Sequence, residues 1–459
     1  MSHRPTAAVV LAAGLGTRMK STRPKVMHPL AGRPMIGHLL ATLAEVGLDK
    51  IVVVVGPDTP EVAAAVAPHP TVVQADRLGT GHAVLAARQH LKGFTGDVLV
   101  LFGDSPLVRA ETLRQMLAAR QSAGHPAVVV SGFRPADPGA YGRLIVDGKG
   151  GLQAIVEARE ATPEQLAVTL CNSGFMAVDG TRLLGLLDRV KNDNAKGEYY
   201  LTDIVRIARA DGCACAVVEG EEAEFLGINS RAELALAEGR VQAGLRAQAM
   251  AGGATLIAPE SVHFSYDTKL GRDVTVGPYV VFGPGVTIGD EVEIFSFCHI
   301  EAATVAQGAR IGPFARLRPG AEIGVEAHIG NFVEIKNARI EAGAKATHLS
   351  YIGDARLGAG ANIGAGTITC NYDGFFKSHT DIGAHAFIGS NTALVAPVKI
   401  ADGAIVGAGS VITRDVSADA LALTRGPHEE KPGWAARFRA VKSTEKAKSA
   451  EKAKTKKKG

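Results

Sequence analysis

The sequence predicts two folds in series: an α/β domain on a mostly parallel sheet, then a parallel β-helix of hexapeptide repeats. As far as Gly227, short Val- and Leu-rich runs alternate with helical patterns, as in a parallel sheet covered on both faces. From Leu270 onward apolar residues recur every six positions, a spacing that neither a helix nor a simple strand uses. A length of 459 residues with 46% hydrophobic and 21% charged content supplies apolar material for about two or three cores.

In the first domain, 1–228, the predicted strands are 7–11, 51–55, 72–74, 98–102 and 128–130. Helical patterns fall at 35–46, 83–91 and 112–123. Ligands of such sheets bind beyond the carboxyl ends of the strands, so the loops after Leu11 and Phe102 come first. The segment 231–250 is Ala- and Leu-rich without Pro, which predicts a long linker helix within 229–250, capped from Asn229-Ser230.

The domain 251–440 carries the period of six. One series is Leu270, Val276, Phe282, Ile288, Ile294, Ile300; another is Ile382, Ile388, Leu394, Ile400, Val406, Ile412. Three such units close one triangular coil, with one apolar side chain inward per unit. Gly often follows directly, as in Val276-Gly277, Ile329-Gly330 and Ile388-Gly389, and is expected because the backbone at a corner leaves the strand region. The step from Ile363 to Ile382 is one position longer than a full coil, so a loop containing Thr369 to Gly374 is expected to leave the prism.

Charge excludes a basic nucleic-acid-binding body. The segment 441–459 holds eight Lys and two Glu, so the formal +4 of the chain is a −2 body with a +6 tail. That tail is expected to be a solvated, disordered end. No apolar run approaches the ~18 residues of a membrane span, and no secretory leader is visible. Five scattered cysteines suit a reducing cytoplasm, and Cys213-Ala214-Cys215 lacks the second pair that a zinc site needs.

Two groups of residues carry chemistry. Leu11 to Met19 follows the first strand: Gly14 and Gly16 let backbone amides approach a phosphate, while Arg18 and Lys25 add positive charge. No Gly-Lys-Ser/Thr ending marks a Walker loop. In the repeats, Arg318 and Lys336 are one full coil apart, so they stack on one edge as a phosphate-binding pair. His348 lies two-thirds of a coil beyond Lys336, near a register break at Ile340.

With Leu78-Gly79-Thr80-Gly81-His82-Ala83 and Phe102-Gly103-Asp104-Ser105-Pro106-Leu107, the chain resembles the sugar-nucleotide pyrophosphorylases. The repeats narrow the resemblance to the bifunctional N-acetylglucosamine-1-phosphate uridylyltransferases / glucosamine-1-phosphate N-acetyltransferases, from about Thr6 to Trp434. It implies a Rossmann-like nucleotidyltransferase domain and a left-handed β-helix, homotrimers, and UTP, acetyl-CoA and Mg²⁺ as co-substrates and cofactor. Leu11, Ala12, Ala13, Gly14, Lys25, Gln74, Gly79, Thr80 and Gly103 would bind the nucleotide, with Arg18 and Lys25 offsetting charge. Asp104 and Asn229 would hold the metal; Gly142, Glu157, Asn172 and Asn229 would contact the sugar. In the second site His348 would be the general base. Arg318, Lys336, Tyr351 and Asn362 would hold glucosamine 1-phosphate. Asn371 would orient the amine, and Ala365, Tyr372, Ser390, Ala408 and Arg425 would join it on acetyl-CoA. The family commonly has Tyr where this chain has Phe102.

Two other readings fit parts of the sequence: a single-activity pyrophosphorylase whose β-helix only oligomerises, and a scaffold with a degenerate nucleotidyl domain. His348 with Asn371-Tyr372 argues against the first, and intact Lys25 and Asp104 against the second.

Overall fold

The computed structural model describes residues 4–194 and 196–455, with side chains through 448. By internal contacts the chain divides into Met1–Ala302 and Ala303–Gly459.

The first unit is built on a sheet whose main path runs Cys215–Glu219, Val128–Phe133, Cys171–Asp179, Asp97–Phe102, Thr6–Leu11, Lys50–Val55, Thr71–Val73. All five predicted strands are present. Thr6–Leu11 pairs parallel with both neighbours, and alternation along it divides the core: Ala7, Val9 and Leu11 enter one cluster, Ala8, Val10 and Ala12 the other. Such central strands are buried on both faces, which is why they read as continuous apolar runs. Cys171–Asp179 is antiparallel to both neighbours, an exception the periodicity did not disclose. The helical pattern at 83–91 is two short helices, Thr80–Ala86 and Arg88–Leu91.

The predicted long helix is present as Arg231–Ala251, inside the first unit, with Ser230 as its cap: the Ser230 hydroxyl accepts from the Glu233 amide. The first coils follow, with Thr255–Leu256, Thr275–Val276 and Glu293–Ile294 paired in parallel.

The second unit is built from the same left-handed coils. Arg310–Ile311, His328–Asn331, Lys345–His348, Asn362–Ile363, Phe387–Ile388 and Ile405–Val406 stack as successive parallel rungs. Of the twelve apolar residues in the two unbroken series, all but Leu270 are buried. The predicted break is larger than its signature in the sequence. Lys345 pairs with Asn362, one position short of a full coil, whereas Asn362 pairs with Phe387, well beyond one. The surplus leaves as a loop closed by a Tyr372–Lys377 bridge.

The reason given for the repeat glycines holds at Gly312, whose φ is +94°, but needs correction at others. Gly330 and Gly389 are not in the left-handed region; Phe314, Phe332, Leu349 and Asn391 occupy it instead. Glycine is required by close approach: a Cβ on Gly330 would lie 1.9 Å from the Thr347 carbonyl oxygen, and one on Gly389 2.4 Å from the Ala408 nitrogen.

A second correction concerns the tail. Trp434–Thr455 is helical rather than irregular. Ala, Lys and Glu are strong helix formers, and no Gly or Pro interrupts them. Positions 456–459 of the predicted tail lie outside the described residues.

Candidate functional site

Beyond the carboxyl ends of the first unit's central strands lies a cavity of about 220 Å³, lined by Leu11, Ala12, Ala13, Gly14, Lys25, Gln74, Gly79, Thr80 and Asp104. The backbone packing is tight. The Gly103 amide donates to the Leu11 carbonyl at 2.9 Å, and the Ala12 amide to the Val54 carbonyl at 2.8 Å. Gly79 must be glycine: its φ is +112°, and a Cβ would lie 2.7 Å from the Tyr199 carbonyl oxygen. Gln74 is buried, and its amide nitrogen donates to the Gly79 carbonyl at 3.1 Å, which turns its carbonyl oxygen away from that bond.

Lys25 stands between two oxygens. Its Nζ donates to the Asp104 carboxylate and, at 3.1 Å, to Asn229 Oδ1. Both partners come from far along the chain, so the fold alone assembles the group. Asn229 can reach Lys25 because Ser230, not Asn229, caps the following helix.

A larger cavity of about 500 Å³ shares Thr80, Phe102 and Glu198 with the first and adds Arg18, Glu157, Asn172, Lys196, Tyr200 and Thr202. Arg18 therefore faces this space rather than the first. Burial pushes the Glu157 carboxyl above its ordinary range, against the opposing charge of Lys196. The Asn172 side chain accepts from the Gly174 amide at 2.9 Å, and its backbone amide donates to the Gly142 carbonyl at 2.8 Å. Phe102 stacks on Phe175 with ring centroids 6.3 Å apart.

In the second unit, the predicted residues form two ladders flanking one corner. On one side Arg316 pairs with Glu334 and Lys336 with Gly353, which places Arg318, Lys336 and Gly353 in one column as the one-coil spacing predicts. Arg318 also donates to Glu334 Oε1 at 2.7 Å. The next column is polar: Asn337 donates to Asp354 Oδ1 at 2.6 Å, and Asn371 donates to Oδ2 of the same carboxylate. Burial works to raise the Asp354 carboxyl, but the two amides and the charges of Lys336 and Lys377 hold it below its ordinary value. Lys377 lies beside Lys336, and that like charge lowers its ammonium. Tyr351 places its hydroxyl over Gly353, next to these cations.

Across the corner, His348 is in register with Asn331, and its Nδ1 is 2.8 Å from Asn331 Oδ1. An amide oxygen as partner fixes the imidazole proton on Nδ1 and leaves the Nε2 lone pair to take a proton. Ala365, Ser390 and Ala408 occupy the coils above: the Asn391 amide donates to the Ala365 carbonyl at 2.7 Å, and the Gly409 amide to the Ser390 carbonyl at 2.8 Å. Arg425 lies beside Gly409. Asn362 is on this same face, in register with Lys345, not with Lys336. Tyr372 is exposed on the loop, its hydroxyl donating to the Gly374 carbonyl at 2.6 Å.

Comparison with known proteins follows this division. The MobA-like NTP transferase domain family matches residues 8–148, and the bacterial transferase hexapeptide (six repeats) family matches 267–302 and 379–414. The chain is 65% identical over 448 residues to a bifunctional protein GlmU of Paramagnetospirillum magneticum, covering 98% of this chain and 100% of the relative. It is 67% identical over 435 residues to that of Rhodospirillum rubrum, covering 95% and 97%.

The chain belongs to the GlmU family.

A further GlmU, from Sphingopyxis alaskensis, is 57% identical over 97% of this chain and 99% of the relative. Several residues of this GlmU-family site escaped sequence reasoning. Arg77 lines the first cavity and donates from Nε to the Ala13 carbonyl at 2.8 Å. Glu198 lines both cavities. Lys377 and Asp354 join the second site only through the loop excursion and the stacking of coils. The one available signal was Lys377 closing the loop that carries Asn371-Tyr372.

Proposed function

We propose that the two sites carry successive steps of one synthesis. The chain is a bifunctional enzyme that makes UDP-N-acetylglucosamine. It N-acetylates glucosamine 1-phosphate from acetyl-CoA, then transfers uridylate from UTP to N-acetylglucosamine 1-phosphate and releases pyrophosphate. That product supplies cell-envelope polysaccharide synthesis.

The observation that carries the residue assignments is the meeting of Lys25, Asp104 and Asn229 at the mouth of the Leu11–Gly14 turn. UTP lies over Leu11, Ala12, Ala13 and Gly14, with Gln74, Gly79 and Thr80 toward the base. The sugar fills the larger cavity against Glu157, Asn172 and Gly142. A phosphate oxygen of the sugar attacks the α-phosphorus, and the bond to the bridging oxygen of pyrophosphate breaks. Such transfer needs alignment and charge neutralisation rather than a covalent residue. Lys25 neutralises charge on the departing pyrophosphate, and Arg18 adds positive charge from the adjoining sugar cavity.

Asp104 and Asn229 fit Mg²⁺. Their oxygens already converge on one cation, the Lys25 ammonium, and hard oxygen donors suit this ion, which keeps several waters. Among the described residues no group of three or more His, Cys, Asp and Glu could hold a metal, so a magnesium site here rests on these two side chains with phosphate and water. Bound Mg²⁺ supplies charge neutralisation on the phosphates.

In the second site the phosphate of glucosamine 1-phosphate binds Arg318, Lys336 and Lys377, with Tyr351 beside them and Asn362 toward the sugar. The amine, oriented by Asn371, attacks the thioester carbonyl carbon. His348 Nε2 takes its proton, the C–S bond breaks, and the coenzyme thiolate leaves. Coenzyme A runs along the ladder of Ala365, Ser390 and Ala408, with Tyr372 and Arg425 at its sides.

The ladders are open shelves on a single chain, which supports assembly as a homotrimer whose neighbouring chains cover them. Five unpaired cysteines and no helix long and apolar enough to cross a membrane, among the described residues, support a cytoplasmic setting.

One incubation with glucosamine 1-phosphate, acetyl-CoA, UTP and Mg²⁺ tests the order. Free thiol appears without UTP, whereas pyrophosphate requires acetyl-CoA. Rapid pyrophosphate release from UTP and glucosamine 1-phosphate in the absence of acetyl-CoA overturns the sequence of steps.

A further inference from the structure

Arg231 opens the helix that follows Asn229, and it reaches back to both turns that carry the cations of the first site. Its Nε donates to the Met19 carbonyl at 3.3 Å, and a terminal guanidinium nitrogen lies 3.1 Å from His28 Nδ1. Met19 closes the turn that bears Arg18, its amide donating to the Gly16 carbonyl at 2.9 Å. His28 closes the turn that begins at Lys25, its amide donating to the Lys25 carbonyl at 3.2 Å. The two turns are in contact: a Cβ on Gly16 would lie 2.7 Å from Lys25 Cβ. Asn229 is thereby bracketed, because on its other side the Ile228 amide donates to the Asp104 carbonyl at 3.0 Å. His28 itself is 2% exposed, and among the described residues its Nε2 has no partner. A guanidinium only donates, so Nδ1 accepts and the ring proton sits on Nε2. Burial, then the charges of Arg231 and Arg23, lower the imidazole below its ordinary value, which keeps it neutral and able to accept.

We propose that Arg231 is a positioning residue for uridylyl transfer, a clamp made of groups that no ligand uses. The inference rests on the reading of the first site given above. Lys25, Asp104 and Asn229 are bonded to one another, yet each is also a group that phosphate or metal takes. A tie made of those groups loosens as they turn to their ligands. Neither Arg231 nor His28 lines either cavity, so their bond persists through that exchange and keeps the segments of Arg18, Lys25 and Asn229 in place. Adhesion alone is already supplied, because Leu30, Met35, Ile228 and Ala237 form one buried cluster between the helix and the stretch after His28. What the guanidinium adds is placement at two points, which a single ammonium cannot reproduce.

Pyrophosphate release from UTP and N-acetylglucosamine 1-phosphate is measured on the full chain and its variants, beside thermal unfolding and calorimetric binding of UTP. Arg231→Ala should lower kcat by about 10²-fold, the cost of a small misplacement, while UTP affinity and both KM values stay near those of the parent. Arg231→Lys should recover only part of the loss. His28→Leu removes the acceptor together with an unpaired buried N–H, so it should melt no lower than the parent and still lose about tenfold in kcat. His28→Asn, whose side-chain oxygen can stand where Nδ1 does, should regain most of that rate. Arg231→Ala combined with His28→Leu should cost no more than Arg231→Ala alone. Parental kcat in Arg231→Ala, additive losses in the double variant, or rates that merely follow the melting temperature overturn the proposal. Should Arg231→Ala fail to fold, the contrast between His28→Leu and His28→Asn decides it. A parent chain that releases no pyrophosphate overturns the reading of the first site, and this inference with it.

Discussion

The two sites are built by opposite strategies. In the first unit the chain gathers residues scattered from Leu11 to Asn229 around two adjoining cavities, and functional groups lean on others from distant elements, as Lys25 does on Asp104 and Asn229. In the second unit a regular lattice sets out residues on open ladders, where position follows from counting coils. A converged site depends on the whole fold around it. A lattice site depends on local register and on whatever covers it.

Substitutions can sharpen this contrast. The largest effect is expected for His348→Ala, which should lower acetyl transfer by about 10²–10⁴-fold while uridylyl transfer continues. Thiol release from glucosamine 1-phosphate and pyrophosphate release from added N-acetylglucosamine 1-phosphate, followed separately, distinguish the two, and retained acetyl transfer would remove His348 as the base. Asp104→Ala should do the reverse, with a loss of about 10²–10³-fold in pyrophosphate release and none in thiol release. Joint loss in either variant would mean that the sites are not independent. Lys377→Ala should raise the KM for glucosamine 1-phosphate by about 10–100-fold, the range for one charged hydrogen bond, and leave kcat closer to normal. An unchanged KM would remove Lys377 from the phosphate group.

The smallest effect is a pH dependence confined to the first unit. Burial raises the folded-state pKa of Glu157, so its carboxyl gains a proton at higher pH than in the unfolded chain. Its charged form therefore costs stability at neutral pH, and that cost is relieved as pH falls through the raised value. Glu157→Gln should melt slightly higher than the parent at pH 7, with the difference fading in acid, while the KM for N-acetylglucosamine 1-phosphate rises. A variant that melts lower at pH 7 would show that the charged carboxylate has a stabilising partner.

Legibility in the sequence followed the same divide. The period of six disclosed the β-helix almost residue by residue, because each coil buries one apolar side chain per face and Arg318 over Lys336 needs only arithmetic. The sheet was readable because its central strands are buried on both faces. Arg77 and Glu198 were not, since they reach the cavity through turns whose direction no periodicity encodes. The same holds for Lys377, whose place depends on how far a loop swings out. The repeat glycines show a subtler gap: their presence was plain, but their cause lay in the neighbouring coil's backbone, invisible along one strand of text.

That close contact between coils has a consequence for how such a chain can change length. Because Gly330 and Gly389 let successive layers rest directly on one another, a residue added inside a layer would misplace every address above it. The excursion after Cys370 avoids this by exiting and re-entering at a corner, after which Phe387 meets Ile405 at the regular one-coil step. The loop is thus a spliced-in page that leaves the numbering of later shelves intact, and its length can drift while Ser390 and Ala408 stay aligned.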